Sequence, residues 1–206
     1  MRYRLLTVAR EYGSGGAAIA SIVADRLGWQ VLDNALIEEA ARIAKVRPEC
    51  ARGYDERVDS WLHRLSRRGL WHGAPAGVAA VSDEDIFDAE MMARLARAMI
   101  ERAYEVGNTV VVGRGSQSVL QDRADVFHVF VYAPREDRVK RLRRRLLNET
   151  DAQIAAEIEA KEAERTRYVR LNYDADRRDA HFYDLLISSK LGDETTAAAI
   201  LCAMGC

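Results

Sequence analysis

Short apolar runs alternate along the chain with segments whose apolar residues recur every three or four positions. The runs cover residues 5–9, 30–32, 109–113, 126–133 and 185–188. Runs of this length without polar alternation are typical of strands buried on both faces of a parallel sheet. Because helical spacing separates them, the pattern predicts an α/β fold with a mainly parallel central sheet.

N-capping residues predict where the helices between these strands begin. Asp33 and Asp83 each precede a stretch with helical spacing, and Thr150-Asp151-Ala152-Gln153 has the pattern of a capping box. The helix after Thr150 has little apolar face, which is typical of a helix that is solvent-exposed or closes over a ligand. A last helix is predicted over residues 193–204. Residues 47–81 are irregular.

The first strand leads into a glycine-rich turn, Gly13-Ser14-Gly15-Gly16. Three glycines in four residues remove the Cβ atoms that would keep the backbone away from a ligand. The free amides at the start of the next helix attract anions. The predicted phosphate-binding residues are Gly13, Ser14, Gly15, Gly16, Ala17 and Ala18. A tight turn without a ligand is the alternative.

This turn lacks the charged and hydroxyl groups of the usual phosphate-loop motif, G-x-x-x-x-G-K-[ST]. When the motif ends at Gly15, Arg10 takes the place of its first glycine. Gly16 then takes the place of the lysine, and Ala17 that of the Ser/Thr that would hold magnesium. The backbone cradle is present, but its positive charge must come from elsewhere.

A second turn, Gly113-Arg114-Gly115, follows the apolar strand Val110-Val111-Val112. In an open α/β sheet, the carboxyl ends of the strands line the ligand crevice. The planar guanidinium of Arg114 suits bidentate contact with a phosphate. We therefore predict that Arg114 binds a phosphate beside the glycine turn, with a surface arginine in a strand-to-helix turn as the alternative.

Composition limits the class of protein. The chain has 206 residues, a formal net charge of -1 and three cysteines. This length suits one domain, and the charge gives no general reason to expect a nucleic acid or an anionic membrane as partner. Few cysteines without metal spacing are typical of a reducing compartment, and no apolar stretch approaches a membrane span. We expect a cytoplasmic protein.

Five segments spread over the chain carry a family resemblance: AREYGSGG (9–16), LDNALI (32–37), VVVGR (110–114), FHVFVYAP (127–134) and YDLLISS (183–189). Together they resemble the cytidylate kinase-like family, a branch of the P-loop nucleoside monophosphate kinases. The resemblance implies a P-loop kinase-type three-layer α/β fold in a single domain, residues 1–206. Its core would be residues 1–32, 107–146 and 179–206, with an inserted helical acceptor-binding segment at 33–106 and a helical lid at 147–178.

The resemblance also implies a reaction, the transfer of a phosphoryl group from ATP to a nucleoside monophosphate (CMP by family name) or a similar small phosphate acceptor. ATP and Mg²⁺ are the implied cofactors. The predicted catalytic residues are Arg10, Arg114, Arg165 and Arg167, and the predicted substrate-binding residues are Asp33, Arg114, Lys161 and Arg170. A lid that carries arginines supplies charge when it closes and excludes water.

Several assignments stay open at this level. Arg10 and Arg114 are the candidates to replace the missing lysine, and magnesium could be held by Asp33, by Glu11, or only by water and phosphate oxygens. The lid arginines could instead form a solvated face paired with Glu162 and Glu164.

The partners are also open. The basic run at 135–145, with seven Arg or Lys, could contact RNA, surround the nucleotide phosphates, or be solvated. Trp61, His63 and Trp71 could stack on a base or pack their own segment. The long helix from Asp83 could serve a homodimer interface or the core. Besides an active kinase, the sequence allows a nucleotide-binding sensor or partner protein that has lost transfer, or a small domain that binds another anion.

Overall fold

A computed structural model gives the fold of the chain. It describes residues 2–38 and 83–206, and for 83–91 the backbone alone. The predictions for residues 39–82, including the irregular stretch 47–81 with Trp61, His63 and Trp71, lie outside the described residues. No helix in the described part of the chain is long and apolar enough to cross a membrane.

Five parallel strands form one sheet. They are β1 (Leu5–Arg10), β2 (Gln30–Leu32), β3 (Thr109–Val112), β4 (Val126–Tyr132) and β5 (Leu185–Ser188). Their order across the sheet is β2-β3-β1-β4-β5, and every neighbouring pair is parallel. The predicted α/β fold with a mainly parallel sheet is confirmed.

Helices connect and cover the strands. They are α1 (Gly16–Leu27), α2 (Asp83–Val106), α3 (Ser116–Val119), α4 (Arg135–Arg143), α5 (Asp151–Tyr173) and α6 (Asp193–Met204), with a helical stretch at 34–38. The capping box of α5 is formed, since Thr150 and Gln153 each bind the other's backbone amide. The Oδ1 atom of Asp33 accepts a bond from the amide of Leu36 at 3.0 Å, as an N-cap should.

Alternate side chains of β1 enter two different cores, because successive side chains of a strand point to opposite faces. Leu6 and Val8 pack with α1 and α6 on one face of the sheet. Leu5 packs with α2 and Leu120 on the other face. The sheet is thus covered on both sides, and β1 and β3 end at its carboxyl edge, where open α/β sheets have their ligand crevice.

A smaller cluster attaches α5 to the region after β1. Leu142 of α4 packs with Ile154 and Ile158 of α5, and Tyr12 lies against them. Helix α5 has little apolar face, as its sequence indicates, but the narrow apolar face that it does have is buried here. This packing places the middle of α5 beside the glycine turn.

His128 of β4 gives the fold a predicted pH dependence. Its Nδ1 lies 2.7 Å from the hydroxyl of Thr7, and burial lowers its pKa, although Asp184 and the carbonyl of Leu120 oppose this. The unfolded chain therefore binds the proton more readily, so stability is full above the ordinary histidine pKa of about 6.5 and falls as the pH drops below it. We expect the Tm to fall more steeply between pH 7.5 and 5.5 in the wild type than in His128→Gln. An equal dependence of Tm on pH in the wild type and in His128→Gln would contradict this prediction. As a control, His181→Gln changes an exposed histidine and should keep the wild-type dependence.

Candidate functional site

The glycine turn presents the uncapped start of a helix. Gly13 and Gly15 have φ of 81° and 83°, in the left-handed region that favours glycine. Helix α1 begins at Gly16, and its N-cap residue Gly15 has no side chain that could bind the first amides. Ser14 is buried, and its hydroxyl donates to the carbonyl of Glu11 at 2.9 Å. Among the described residues, the first amides of α1 therefore have no side-chain acceptor, an arrangement that suits a bound anion.

Arg141 lies directly against this turn. A Cβ atom on Gly15 would lie 2.5 Å from Nη1 of Arg141. The guanidinium of Arg141 donates to both carboxylate oxygens of Asp193, at 2.8 and 2.6 Å, and this bonding raises its pKa. Gly15 thus leaves room for an arginine that ties α4 to α6 beneath the turn.

Arg10 extends from the end of β1 across the carboxyl edge of the sheet. A Cβ atom on Gly16 would lie 2.6 Å from Cβ of Arg10, and a Cβ atom on Gly113 would overlap Nη1 of Arg10. The stem of Arg10 therefore passes Gly16, and its guanidinium rests against Gly113 after β3. This places the charge between the glycine turn and the Arg114 turn.

Several cations converge on this point. Burial, together with the neighbouring Arg165, Arg177 and Arg114, lowers the pKa of Arg10 to about 9, while Asp33 opposes them. The group still carries its charge at neutral pH. Like charges gathered in a partly buried site repel one another, and a bound polyanion relieves that repulsion.

Arg114 is held in a strained backbone conformation, with φ of 55°. The hydroxyl of Tyr173 donates to its carbonyl at 3.0 Å, and its guanidinium lies over the ring of Tyr168 at 5.4 Å. Its Nη2 contacts the carboxylate of Glu38 at 3.1 Å. Its buried Nε has no hydrogen-bond partner among the described residues, which leaves a donor for a ligand.

Two residues of the site, Glu162 and Arg177, were not predicted from the sequence. Nη1 of Arg165 and Nη2 of Arg177 donate to the carbonyl of Arg10 at 3.0 and 2.7 Å. Glu162 accepts from the amide of Tyr12 at 2.6 Å and from Arg177 at 2.9 Å. Burial opposes ionisation of Glu162, but these bonds hold its pKa below its ordinary value. The sequence signal for Glu162 was its spacing to Arg165, which indicated a surface pair.

The other predicted lid residues lie elsewhere. Lys161 pairs with Glu164 at 2.9 Å at the surface. Arg167 and Arg170 line an open groove of about 580 Å³ along α5, together with other residues of that helix and Arg178. The structure therefore brings Arg10, Arg114, Arg165 and Asp33 together, and does not bring Lys161, Arg167 or Arg170 into contact with them among the residues it describes. The roles of those three stay predictions.

The carboxylates nearest the turn each bind a backbone amide. Oε2 of Glu11 accepts from the amide of Ala133 at 3.0 Å, and Oδ1 of Asp33 caps its helix. Within residues 2–38 and 92–206, no three His, Cys, Asp or Glu side chains are grouped so that they could hold a metal ion. Because Mg²⁺ is usually held by only one or two carboxylates together with water and phosphate oxygens, the three possibilities named for it all stay predictions.

A parallel sheet with a glycine turn after β1 is the architecture of P-loop kinases, and solved structures with this fold agree. An uncharacterized protein from Eubacterium ventriosum has a TM-score of 0.66 at 19% identity, covering 98% of this chain and 97% of its own. A gluconokinase from Sinorhizobium meliloti has a TM-score of 0.53 at 14% identity, and the match covers 100% of this chain and 94% of the gluconokinase. A shikimate kinase from Bacteroides thetaiotaomicron has a TM-score of 0.50 at 12% identity, and the match covers 98% of each chain.

These identities establish the fold alone, and the sequence establishes the family. The profile of the cytidylate kinase-like family matches residues 5–191, so the chain belongs to that family. No curated protein matches the chain significantly. The family and the fold neighbours suggest a small-molecule kinase.

Proposed function

We propose that the protein transfers the γ-phosphoryl group of ATP to a nucleoside monophosphate, with CMP the first candidate, or to a similar small phosphate acceptor. The observation that carries this proposal is the place of Arg10. Its guanidinium lies between the glycine turn, which suits donor phosphates, and the Arg114 turn, which suits the acceptor. Phosphoryl transfer depends mainly on positioning and on charge stabilisation, and this arrangement offers both.

Each part of the site has a role in the proposed reaction. The amides of residues 13–18 bind the donor phosphates, and Arg114 binds the phosphate of the acceptor. An acceptor oxygen attacks the γ-phosphorus, the bond to the β-phosphate oxygen breaks, and ADP leaves. Arg10 and Arg165 balance the charge on the transferred group, as a lysine and arginines do in related chemistry. Magnesium, where present, arrives with the nucleotide.

The proposal also assigns the larger segments. Residues 33–106 hold the acceptor, with Asp33 at the start of that segment. Residues 147–178 are the lid, from which Lys161, Arg167 and Arg170 contact the substrates on closure. The core provides the glycine turn and the sheet.

A second candidate is a nucleotide-binding sensor that has lost transfer. Two observations favour it: Ala17 replaces the hydroxyl residue of the usual motif, and Glu38 already contacts the guanidinium of Arg114 at 3.1 Å. A carboxylate on this arginine competes with an acceptor phosphate. Such a protein would bind ATP without turnover.

Coupled ADP release over a panel of acceptors tests the two candidates. The panel contains the nucleoside monophosphates, together with gluconate and shikimate as acceptors without phosphate. We expect turnover with at least one monophosphate, because Arg114 offers a site for its phosphate. ATP binding in calorimetry without turnover on any acceptor would contradict the kinase and support the sensor. Turnover on gluconate or shikimate alone would retain the kinase and reject the acceptor class.

A further inference from the structure

The carboxylate of Glu162 lies where the lid helix meets the glycine turn. The residue is 6% exposed, although it sits in the middle of the highly charged helix α5. It accepts from the amide of Tyr12 at 2.6 Å and from Nη1 of Arg177 at 2.9 Å. Arg165 and Arg178 lie within 3.7 Å and 3.6 Å of the same carboxylate. A buried charge is tolerated only when paired and hydrogen-bonded in this way.

The carbonyl of Arg10 is bound by two of the same partners. Nη1 of Arg165 and Nη2 of Arg177 donate to it at 3.0 and 2.7 Å. Arg177 is 4% exposed and also lies over the ring of Phe130. Glu162 therefore fixes the chain on both sides of Glu11, at the Arg10 carbonyl through its arginines and at the Tyr12 amide directly.

The backbone that Glu162 holds also bears two parts of the site, the side chain of Arg10 and the glycine turn. The side chain of Arg10 extends from this residue to Gly113, and Gly13 follows one residue after Tyr12. A shift of the backbone here moves both the guanidinium and the first glycine of the turn. Misplacement of a charged group by about 1 Å can cost roughly a hundredfold in rate.

We infer that Glu162 is a positioning residue. Through Arg165 and Arg177 it fixes the main chain of Arg10, and thereby holds the Arg10 guanidinium between the glycine turn and the Arg114 turn. Its effect on catalysis rests on the proposed phosphoryl transfer, whereas its effect on the turn does not. The lid helix is thus joined to the glycine turn by a buried carboxylate.

The test compares Glu162→Gln with Glu159→Gln. Glu159 lies on the same helix but is exposed and pairs only with Arg135, at 3.3 Å, among the described residues. We expect Glu162→Gln to lower kcat by about 10- to 100-fold, because Arg10 loses its fixed position, and to raise the KM for ATP by a smaller factor, because the first glycine of the turn shifts with it. Glu159→Gln should match the wild type. An unchanged kcat in Glu162→Gln, even with a lower Tm, would show a structural role only and overturn the inference.

Amide hydrogen exchange separates this inference from the proposed function. In nucleotide-free protein, Glu162→Gln should speed exchange at residues 11–16 by about tenfold or more, and Glu159→Gln should not. This readout remains decisive if the wild type shows no turnover, since faster exchange then supports the positioning of the turn while the kinase proposal fails. Unchanged exchange at residues 11–16 in Glu162→Gln would overturn the inference that Glu162 positions the turn.

A charge-balanced variant provides a second test in case Glu162→Gln does not fold. Glu162→Gln alone leaves Arg177 buried without its carboxylate, which destabilises the folded state. The double variant Glu162→Gln, Arg177→Gln removes both charges. We expect the same drop in kcat and the same faster exchange, and wild-type values in this folded double variant would contradict the inference.

Discussion

Replacing Arg10 by alanine is expected to lower kcat by about 100- to 1,000-fold. Removing one group that stabilises transition-state charge costs about 2.7–4 kcal/mol in comparable sites. Arg10 is the cation placed between the two turns, and Gly16 stands where the usual motif has its lysine. Steady-state ADP release with the best acceptor measures the effect. ATP affinity should fall much less, because the amides of the glycine turn remain.

Two further variants make this result specific. Arg26→Ala removes an exposed arginine that pairs with Glu194, and should leave kcat unchanged. Arg10→Lys keeps the charge but loses the planar fork, so we expect an intermediate kcat. Activity of Arg10→Ala within about threefold of the wild type would mean that Arg10 does not replace the lysine.

Replacing Gly113 by alanine is expected to lower kcat by at least about a hundredfold, without touching any charged residue. Gly113 has φ of 80°, and a Cβ atom here would overlap the guanidinium of Arg10. The methyl group must therefore displace Arg10 from its place between the turns. Displacement of this kind is costly because catalysis depends on fixed geometry. The measurement is kcat, together with the free energy of unfolding from urea denaturation.

Gly28 provides the matched control for this substitution. It has φ of 64°, and no atom of the described residues lies within 4 Å of a Cβ atom built on it. Gly28→Ala therefore pays only the strain of a left-handed alanine, about 1–2 kcal/mol, and should keep its kcat. If Gly113→Ala also retains wild-type kcat, the contact between Gly113 and Arg10 has no catalytic importance.

The sheet and its two turns could be predicted from the sequence because their signals are local. The apolar runs of β1 and β3 are continuous, and a glycine turn follows each of them, beginning at Gly13 three residues after β1 and at Gly113 directly after β3. Once the strands are parallel and adjacent, the carboxyl ends of both fall at one edge, so Arg10 and Arg114 come close together. The strand and turn patterns alone are therefore enough to predict the sheet and both turns.

Glu162 and Arg177 could not be predicted in the same way. Glu162 bonds to Tyr12, 150 residues away, and Arg177 bonds to Arg10, 167 residues away. In the sequence, Glu162 lies among other acids, lysines and arginines at helical spacing, a pattern that usually indicates a solvated face. Only the packing of Leu142 against Ile154 and Ile158 turns that face inward.

The path of Arg10 past Gly16 also limits how this site could change. A side chain at position 16 would begin 2.6 Å from Cβ of Arg10. Restoring the usual loop lysine there would therefore push Arg10 aside and lose one cation while adding another. The two ways of placing positive charge in the turn exclude each other sterically. If the proposed phosphoryl transfer holds, the glycine turn with Arg10 is an alternative to the lysine-bearing loop, and a single substitution does not convert one into the other.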